Sequence, residues 1–140
     1  SGMLDEEHRQ LEASGVAVRR PPLGIMIEVP ATAIAIDLFP ADFYSIGSND
    51  LTQYVMAAAR DSRSLAHLLN PVHSAMLRLT RNVVQHGIQA GRGVSLCGEA
   101  GADPAALPLL LEAGLRSISV APAAVGRVKA VIASLELPLS

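Results

Sequence analysis

Leu23-Gly24-Ile25-Met26-Ile27-Glu28-Val29-Pro30 is an almost unbroken apolar run that stops at a carboxylate and a proline. With no polar alternation, it reads as a strand buried on both faces, the habit of strands in parallel sheets. Pro30 has a preset φ and no N–H, so it suits the first turn of a helix. The alanine-rich stretch to Leu38 continues as that helix.

The same strand-then-helix rhythm extends outward from this run. Asp42-Phe43-Tyr44-Ser45-Ile46 reads as a second strand, closed by Gly47-Ser48-Asn49-Asp50. Helices follow over Leu51–Ala59 and Pro71–Ala90, the latter with Met76, Leu77, Leu79, Val83, Val84 and Ile88 at helical spacing. Gly91-Arg92-Gly93 is a turn and Val94-Ser95-Leu96-Cys97 a third strand. Asp103-Pro104 caps a helix running to Ala113, which Gly114 stops. Arg116–Val120 is a fourth strand and Pro122–Leu135 a last helix. Upstream, Leu4–Ser14 is a short helix ended by Gly15. Four βα units predict an α/β fold with a parallel sheet and right-handed crossovers. A closed (β/α)₈ barrel of ~250 residues spends roughly 31 on each unit. The 140 residues therefore predict either a small open α/β domain or half of a barrel.

Half of the residues are apolar, 17% are charged and the net charge is −2, which suits one ordinary domain and excludes a disordered segment. The even charge balance, the 3% of aromatic residues and the absence of Trp argue against a nucleic-acid binder. The single cysteine rules out an internal disulfide framework and fits a reducing cytoplasm. No apolar run approaches the ~18–20 residues of a membrane span. Ser1-Gly2 ahead of Met3 reads as a cloning remnant, leaving residues 3–140 as the domain.

In parallel α/β folds, working residues gather at the carboxyl ends of the strands. Glu28 ends the first predicted strand, Asn49-Asp50 follows the second, and Cys97-Gly98-Glu99 ends the third. Two carboxylates suit Mg²⁺, which takes one or two of them together with substrate oxygens and waters. Arg60 could hold a phosphate or carboxylate through paired hydrogen bonds, or simply belong to a solvated helix face. Cys97 could be a nucleophile, an acid or base, or a small buried apolar side chain. Asp50 also suits a helix cap. His67, His73 and His86 lack metal-ligand spacing and read as structural or exposed.

Three motifs together add a resemblance. Gly24-Ile25-Met26-Ile27-Glu28-Val29-Pro30-Ala31, Phe43-Tyr44-Ser45-Ile46-Gly47-Ser48-Asn49-Asp50-Leu51-Thr52-Gln53-Tyr54 and Leu96-Cys97-Gly98-Glu99 resemble the PEP-utilising enzymes. This family includes the PEP–protein phosphotransferases (Enzyme I of the bacterial sugar phosphotransferase system), pyruvate phosphate dikinase and PEP synthase. The resemblance covers nearly all of residues 23–133. The stretches Gln53–Arg60, Asn70–Arg78 and Pro108–Leu115, and Glu99 after Cys97-Gly98, look most like the phosphotransferase branch.

The resemblance implies the C-terminal half of a (β/α)₈ TIM barrel, about four βα units, that binds phosphoenolpyruvate. It implies Glu28 and Asp50 as Mg²⁺ ligands, Asn49 and Arg60 as phosphate contacts, and Cys97 as the general acid that protonates the enolate carbon to give pyruvate. In the family branch the phosphoryl group passes to a histidine in a separate N-terminal domain, and from there to a phosphocarrier protein. That histidine lies in a Gly-rich Thr-Ser-His setting, which none of His8, His67, His73 and His86 shares. Further substrate-binding arginines of the early barrel strands are also absent. Ala59 stands where an Asp often precedes the arginine, and Gly98-Glu99-Ala100-Gly101-Ala102-Asp103 is slightly altered from the family run. Little phosphotransfer is therefore expected from this chain alone.

A half-barrel has two unpaired sheet edges and, on this reading, an apolar interior face. Burying that surface predicts a homodimer. The rival expectations are a fragment of pyruvate phosphate dikinase or PEP synthase, or a non-catalytic dimerisation module.

Overall fold

The computed structural model describes residues 2–135. Ser1 of the expected cloning remnant and residues 136–140 of the expected domain lie outside the described residues. The elements run α1 (Gly2–Ala13), β1 (Gly24–Ile27), α2 (Pro30–Ile34), β2 (Phe43–Gly47), α3 (Ser48–Met56), α4 (Ser74–Ala90), β3 (Gly93–Cys97), α5 (Leu107–Glu112), β4 (Ile118–Ser119) and α6 (Val125–Ser134). The four strands form one parallel sheet in the order β1-β2-β3-β4. Strand order follows chain order without a reversal, so the sheet has no switch point of the doubly wound kind.

One sheet face carries the core. Ile27, Tyr44, Ile46 and Leu96 are buried there against Ala33, Leu51, Met76, Val83, Val84, Leu110 and Leu115 from the helices. Each such large aliphatic side chain taken out of water contributes about 1.5–3 kcal/mol before chain entropy is set against it. Helices pack on one another in sequence, α2 on α4, α4 on α5 and α5 on α6. A smaller cluster of Leu107, Leu111 and Val128 joins α5 to α6. Tyr44 sits at the base of the core; its hydroxyl donates to the Phe39 carbonyl at 3.2 Å and meets His86 Nε2 at 3.3 Å.

The opposite face follows from the period of two. Register aligns Gly24 with Phe43 and Gly93, Met26 with Ser45 and Ser95, and Gly47 with Cys97 and Ser119. The face expected to be apolar is mixed. Met26 and Phe43 are 50% and 41% exposed, and the rest is glycine, serine and cysteine. Glycines make room for neighbours: a Cβ on Gly24 would overlap the Phe43 ring, and one on Gly47 would stand 3.2 Å from Glu28 Oε2.

Helix boundaries differ from the sequence reading for local reasons. α2 stops at Ile34 and a single 3₁₀ turn, Ile36–Leu38, follows. Asn82 Nδ2 takes the Ala33 carbonyl at 2.7 Å, the acceptor that a longer helix would need for residue 37. α4 begins at Ser74 rather than Pro71 because His73 caps it, Nδ1 accepting the Ala75 N–H at 3.2 Å. Asp103 does cap the α5 region. Its Oδ1 accepts the Ala105 N–H at 2.9 Å and its carbonyl accepts the Leu107 N–H at 3.0 Å. β4 is two residues long instead of five, since β3 offers it only Leu96 and Cys97 before the chain turns away.

Candidate functional site

Glu28, Asn49-Asp50 and Cys97 stand at or just beyond the carboxyl ends of β1, β2 and β3. Of the predicted residues, Asn49 and Arg60 share a cleft and Arg60 meets Asp50, while Glu28 and Cys97 lie outside that cleft. α3 starts at Ser48, so Asn49 and Asp50 stand in its first turn instead of in a loop before it. A carboxylate there is favoured by the helix dipole, and the Gly47 cap supplies no side-chain competitor. Thr52 Oγ1 closes the turn by donating to the Ser48 carbonyl at 2.6 Å.

Two hydrogen bonds bind this turn to the end of β3. Ser48 Oγ, fully buried, donates to the Cys97 carbonyl at 2.9 Å. Asn49 Oδ1 accepts the Glu99 N–H at 3.2 Å. Gly98 lies between them at φ 117°, ψ 177°, a region open essentially to glycine alone. A Cβ at Gly98 would come within 2.2 Å of Ser48 Oγ. The 3₁₀ turn Glu99–Ala102 follows, an element that the sequence reading did not expect.

Arg60 is not on a helix. It lies in the turn after α3, and its Nη1 reaches to 3.8 Å from Asp50 Oδ1, with both side chains half-exposed. Asn49, Arg60 and Glu99 share a cleft of about 140 Å³ with Thr52, Leu69, Pro71 and Ala100. Asn49 commits its oxygen to the Glu99 amide, and its Nδ2 donors have no partner among the described residues. Glu28 is half-buried and rests over Gly47, next to the start of α3. Cys97 is the register partner of Gly47 on the same mixed face. Its Sγ donates to the Ile46 carbonyl at 3.5 Å and accepts from Ser45 Oγ at 3.7 Å.

A larger cavity of about 470 Å³ lies at the opposite end of the strands, walled by Asp37, Asp42, Tyr44, His86 and Arg92. None of Glu28, Asn49, Asp50, Arg60 and Cys97 lines it. In parallel barrels that end serves stability and the carboxyl end serves chemistry. The smaller cleft is therefore the candidate site.

Ser45 and Ser48 were not singled out by the sequence reading, and Glu99 was noted at the end of the third strand and as a mark of the family branch but given no role in the site. A serine inside an otherwise apolar strand, on the face shared with Cys97, was the available signal for Ser45. Nothing local marks Ser48 apart from the glycine it must accommodate fifty residues on.

Residues 1–137 match the family model for the PEP-utilising enzyme, PEP-binding domain, and the chain belongs to that family. Curated relatives narrow the likeness. The chain is 41% identical over 137 residues to a phosphoenolpyruvate-protein phosphotransferase of Streptococcus equinus, covering 96% of this chain and 24% of the relative. It is 40% identical over 136 residues to that of Staphylococcus carnosus, covering 95% and 24%. To that of Cupriavidus necator it is 41% identical over 130 residues, covering 91% and 22%. The chain thus spans about a quarter of the length of these relatives.

Proposed function

We propose that this chain is the C-terminal, phosphoenolpyruvate-binding half-barrel of a PEP–protein phosphotransferase. The observation that carries this is the convergence of Asn49, Arg60 and Glu99 on one cleft at the strand carboxyl ends, with Asp50 beside Arg60. Family membership supplies the substrate class.

The donor set fits Mg²⁺. Glu28 and Asp50 offer hard carboxylate oxygens, both reach water, and Mg²⁺ bound in this way keeps positions for water and substrate oxygen. Among the described residues no group of three or more His, Cys, Asp or Glu comes together, so a closed protein cage is not on offer. When bound, Mg²⁺ supplies neutralising charge for the phosphate and the enolate oxygen.

Arg60 and the Asn49 amide hold the phosphate, the first by charge and paired hydrogen bonds, the second through its uncommitted N–H donors. Cys97 gives its thiol proton to the enolate carbon as phosphoryl transfer leaves the enolate behind. The phosphoryl acceptor is a histidine outside this chain, in an N-terminal domain that passes it on to a phosphocarrier protein. The four-strand sheet in chain order, with helices against one face, supports the half-barrel reading. Its two open edges and the exposed Met26 and Phe43 support pairing into a homodimer. No helix among the described residues is long and apolar enough to cross a membrane, and a cytoplasmic location suits a phosphocarrier cycle.

Calorimetric titration of phosphoenolpyruvate, with and without Mg²⁺, tests the site. Mg²⁺-dependent binding that Asp50→Ala abolishes is the expected result. Binding indifferent to both Mg²⁺ and Asp50 would overturn the assignment.

A further inference from the structure

The mixed face of the sheet carries a contact that the proposed reaction has not yet used. Ser45 and Cys97 project from adjacent strands on that face, and Ser45 Oγ donates to Cys97 Sγ at 3.7 Å. The thiol proton is directed at the Ile46 carbonyl, 3.5 Å away. Ser95, the register partner of Ser45, turns its hydroxyl to the Tyr44 carbonyl at 3.5 Å, so it does not compete for the sulfur. The sulfur therefore has one acceptor on its hydrogen and one donor on its lone pairs.

Resting on the reading of Cys97 as the acid, we infer that Ser45 is a positioning residue for Cys97, holding the sulfur in place and supporting it once its proton has gone. In the step concerned, the S–H bond breaks and its electron pair stays on sulfur. The enolate π pair forms the new C–H bond at the methylene carbon, and the C2–O bond becomes a carbonyl. The negative charge moves from enolate oxygen to sulfur. At that moment the Ile46 carbonyl loses its donor and faces an anion, which favours reprotonation. The Ser45 hydroxyl gains a charged acceptor and strengthens, since donors to the charged form stabilise it. The two contacts therefore pull in opposite directions. Such a balance suits a group that must release a proton and recover it in every turnover.

Cys97 is the single cysteine, so its alkylation by iodoacetamide at neutral pH can be followed in the intact chain without ambiguity. Ser45→Ala barely changes size, and a mere space-filling role would leave the rate unchanged or raise it by opening access. The expected result is a fall of roughly threefold to tenfold in Ser45→Ala, the weight of one ordinary hydrogen bond to a charged sulfur, with recovery in Ser45→Thr. An unchanged or faster rate in Ser45→Ala, or no recovery in Ser45→Thr, would overturn the proposal. Deuteration of the pyruvate methyl group in D₂O by a full-length phosphotransferase carrying this domain separates the two layers of the reading. Exchange lost in Cys97→Ala, slowed in Ser45→Ala and restored in Ser45→Thr supports both. Exchange indifferent to Cys97→Ala removes the acid role and with it the positioning role, even if the alkylation rates respond to Ser45.

Discussion

Arg60 Nη1 lies 3.8 Å from Asp50 Oδ1, so the cation proposed for the phosphate and a carboxylate proposed for Mg²⁺ face each other. Both are half-exposed, and an ion pair in that setting adds little to stability. Arg60→Ala is accordingly expected to change unfolding free energy by no more than about 0.5 kcal/mol. Loss of a charge-assisted contact to phosphate should weaken Mg²⁺-dependent phosphoenolpyruvate binding by at least about tenfold. Urea unfolding and calorimetry on the same variant check the two halves. A large stability loss with intact binding would reverse the assignment.

Gly98 marks where the first turn of α3 touches the end of β3. Alanine there would force a side chain into a glycine-only backbone region and against Ser48 Oγ, 2.2 Å from the new Cβ. Strain of this kind costs about 1–3 kcal/mol, and the clash adds to it. Urea denaturation of Gly98→Ala should show a loss of about 2–4 kcal/mol. A loss below about 0.5 kcal/mol would mean that the turn and the strand end are free to part.

Gly47 offers a gentler test. A Cβ there would stand 3.1 Å from Glu28 Cβ, 3.2 Å from Glu28 Oε2 and 3.3 Å from Met26 Sδ, close enough to push the carboxylate aside without a hard clash. Gly47→Ala should cost about 1 kcal/mol or less in stability. Mg²⁺ affinity should nonetheless fall several-fold, because a small displacement of a ligand matters more to a metal than to a core. Unaltered Mg²⁺ affinity would argue that Glu28 is not a ligand.

Ala57 ends α3 in the left-handed region, φ 49°, with its N–H bonded back to the Gln53 and Tyr54 carbonyls. Glycine adopts that conformation without the Cβ penalty. Ala57→Gly should therefore stabilise the chain by about 0.5–1 kcal/mol in urea unfolding, net of its greater freedom when unfolded. A destabilised variant would mean that the strain is relieved elsewhere.

α1 buries no residue, and Arg20 ties it down through Asp5. The hydrogen bond from Arg20, helped by its charge, holds the Asp5 carboxyl below its ordinary value of 3.8. A depressed folded-state value adds stability that is complete above the unfolded value and disappears as pH falls through the folded one. Amide exchange of α1 should thus quicken as pH drops below the ordinary carboxylate range, relative to its intrinsic rate. Arg20→Ala should remove that dependence while leaving the sheet amides protected.

Much of this arrangement was legible in the chain itself. Ile25-Met26-Ile27 and Tyr44-Ser45-Ile46 announced parallel strands, and the same pattern placed Glu28, Asn49-Asp50 and Cys97 at their carboxyl ends. What escaped was non-local. The shortness of α2 depends on Asn82, nearly fifty residues on, taking the Ala33 carbonyl. The length of β4 depends on where β3 turns away. The character of the exposed sheet face follows from register, which sets Met26 beside Ser45 and Ser95. Local propensity carries no information about any of these partners.

The stitching of Ser48 to Cys97 and of Asn49 to Glu99, with Gly98 between, has a consequence for descent. A side chain at 98 is barred twice, by the backbone conformation there and by the hydroxyl at 48. The glycine at 98 should therefore persist through descent whatever stands at 48, and the two short motifs should travel together although some fifty residues separate them.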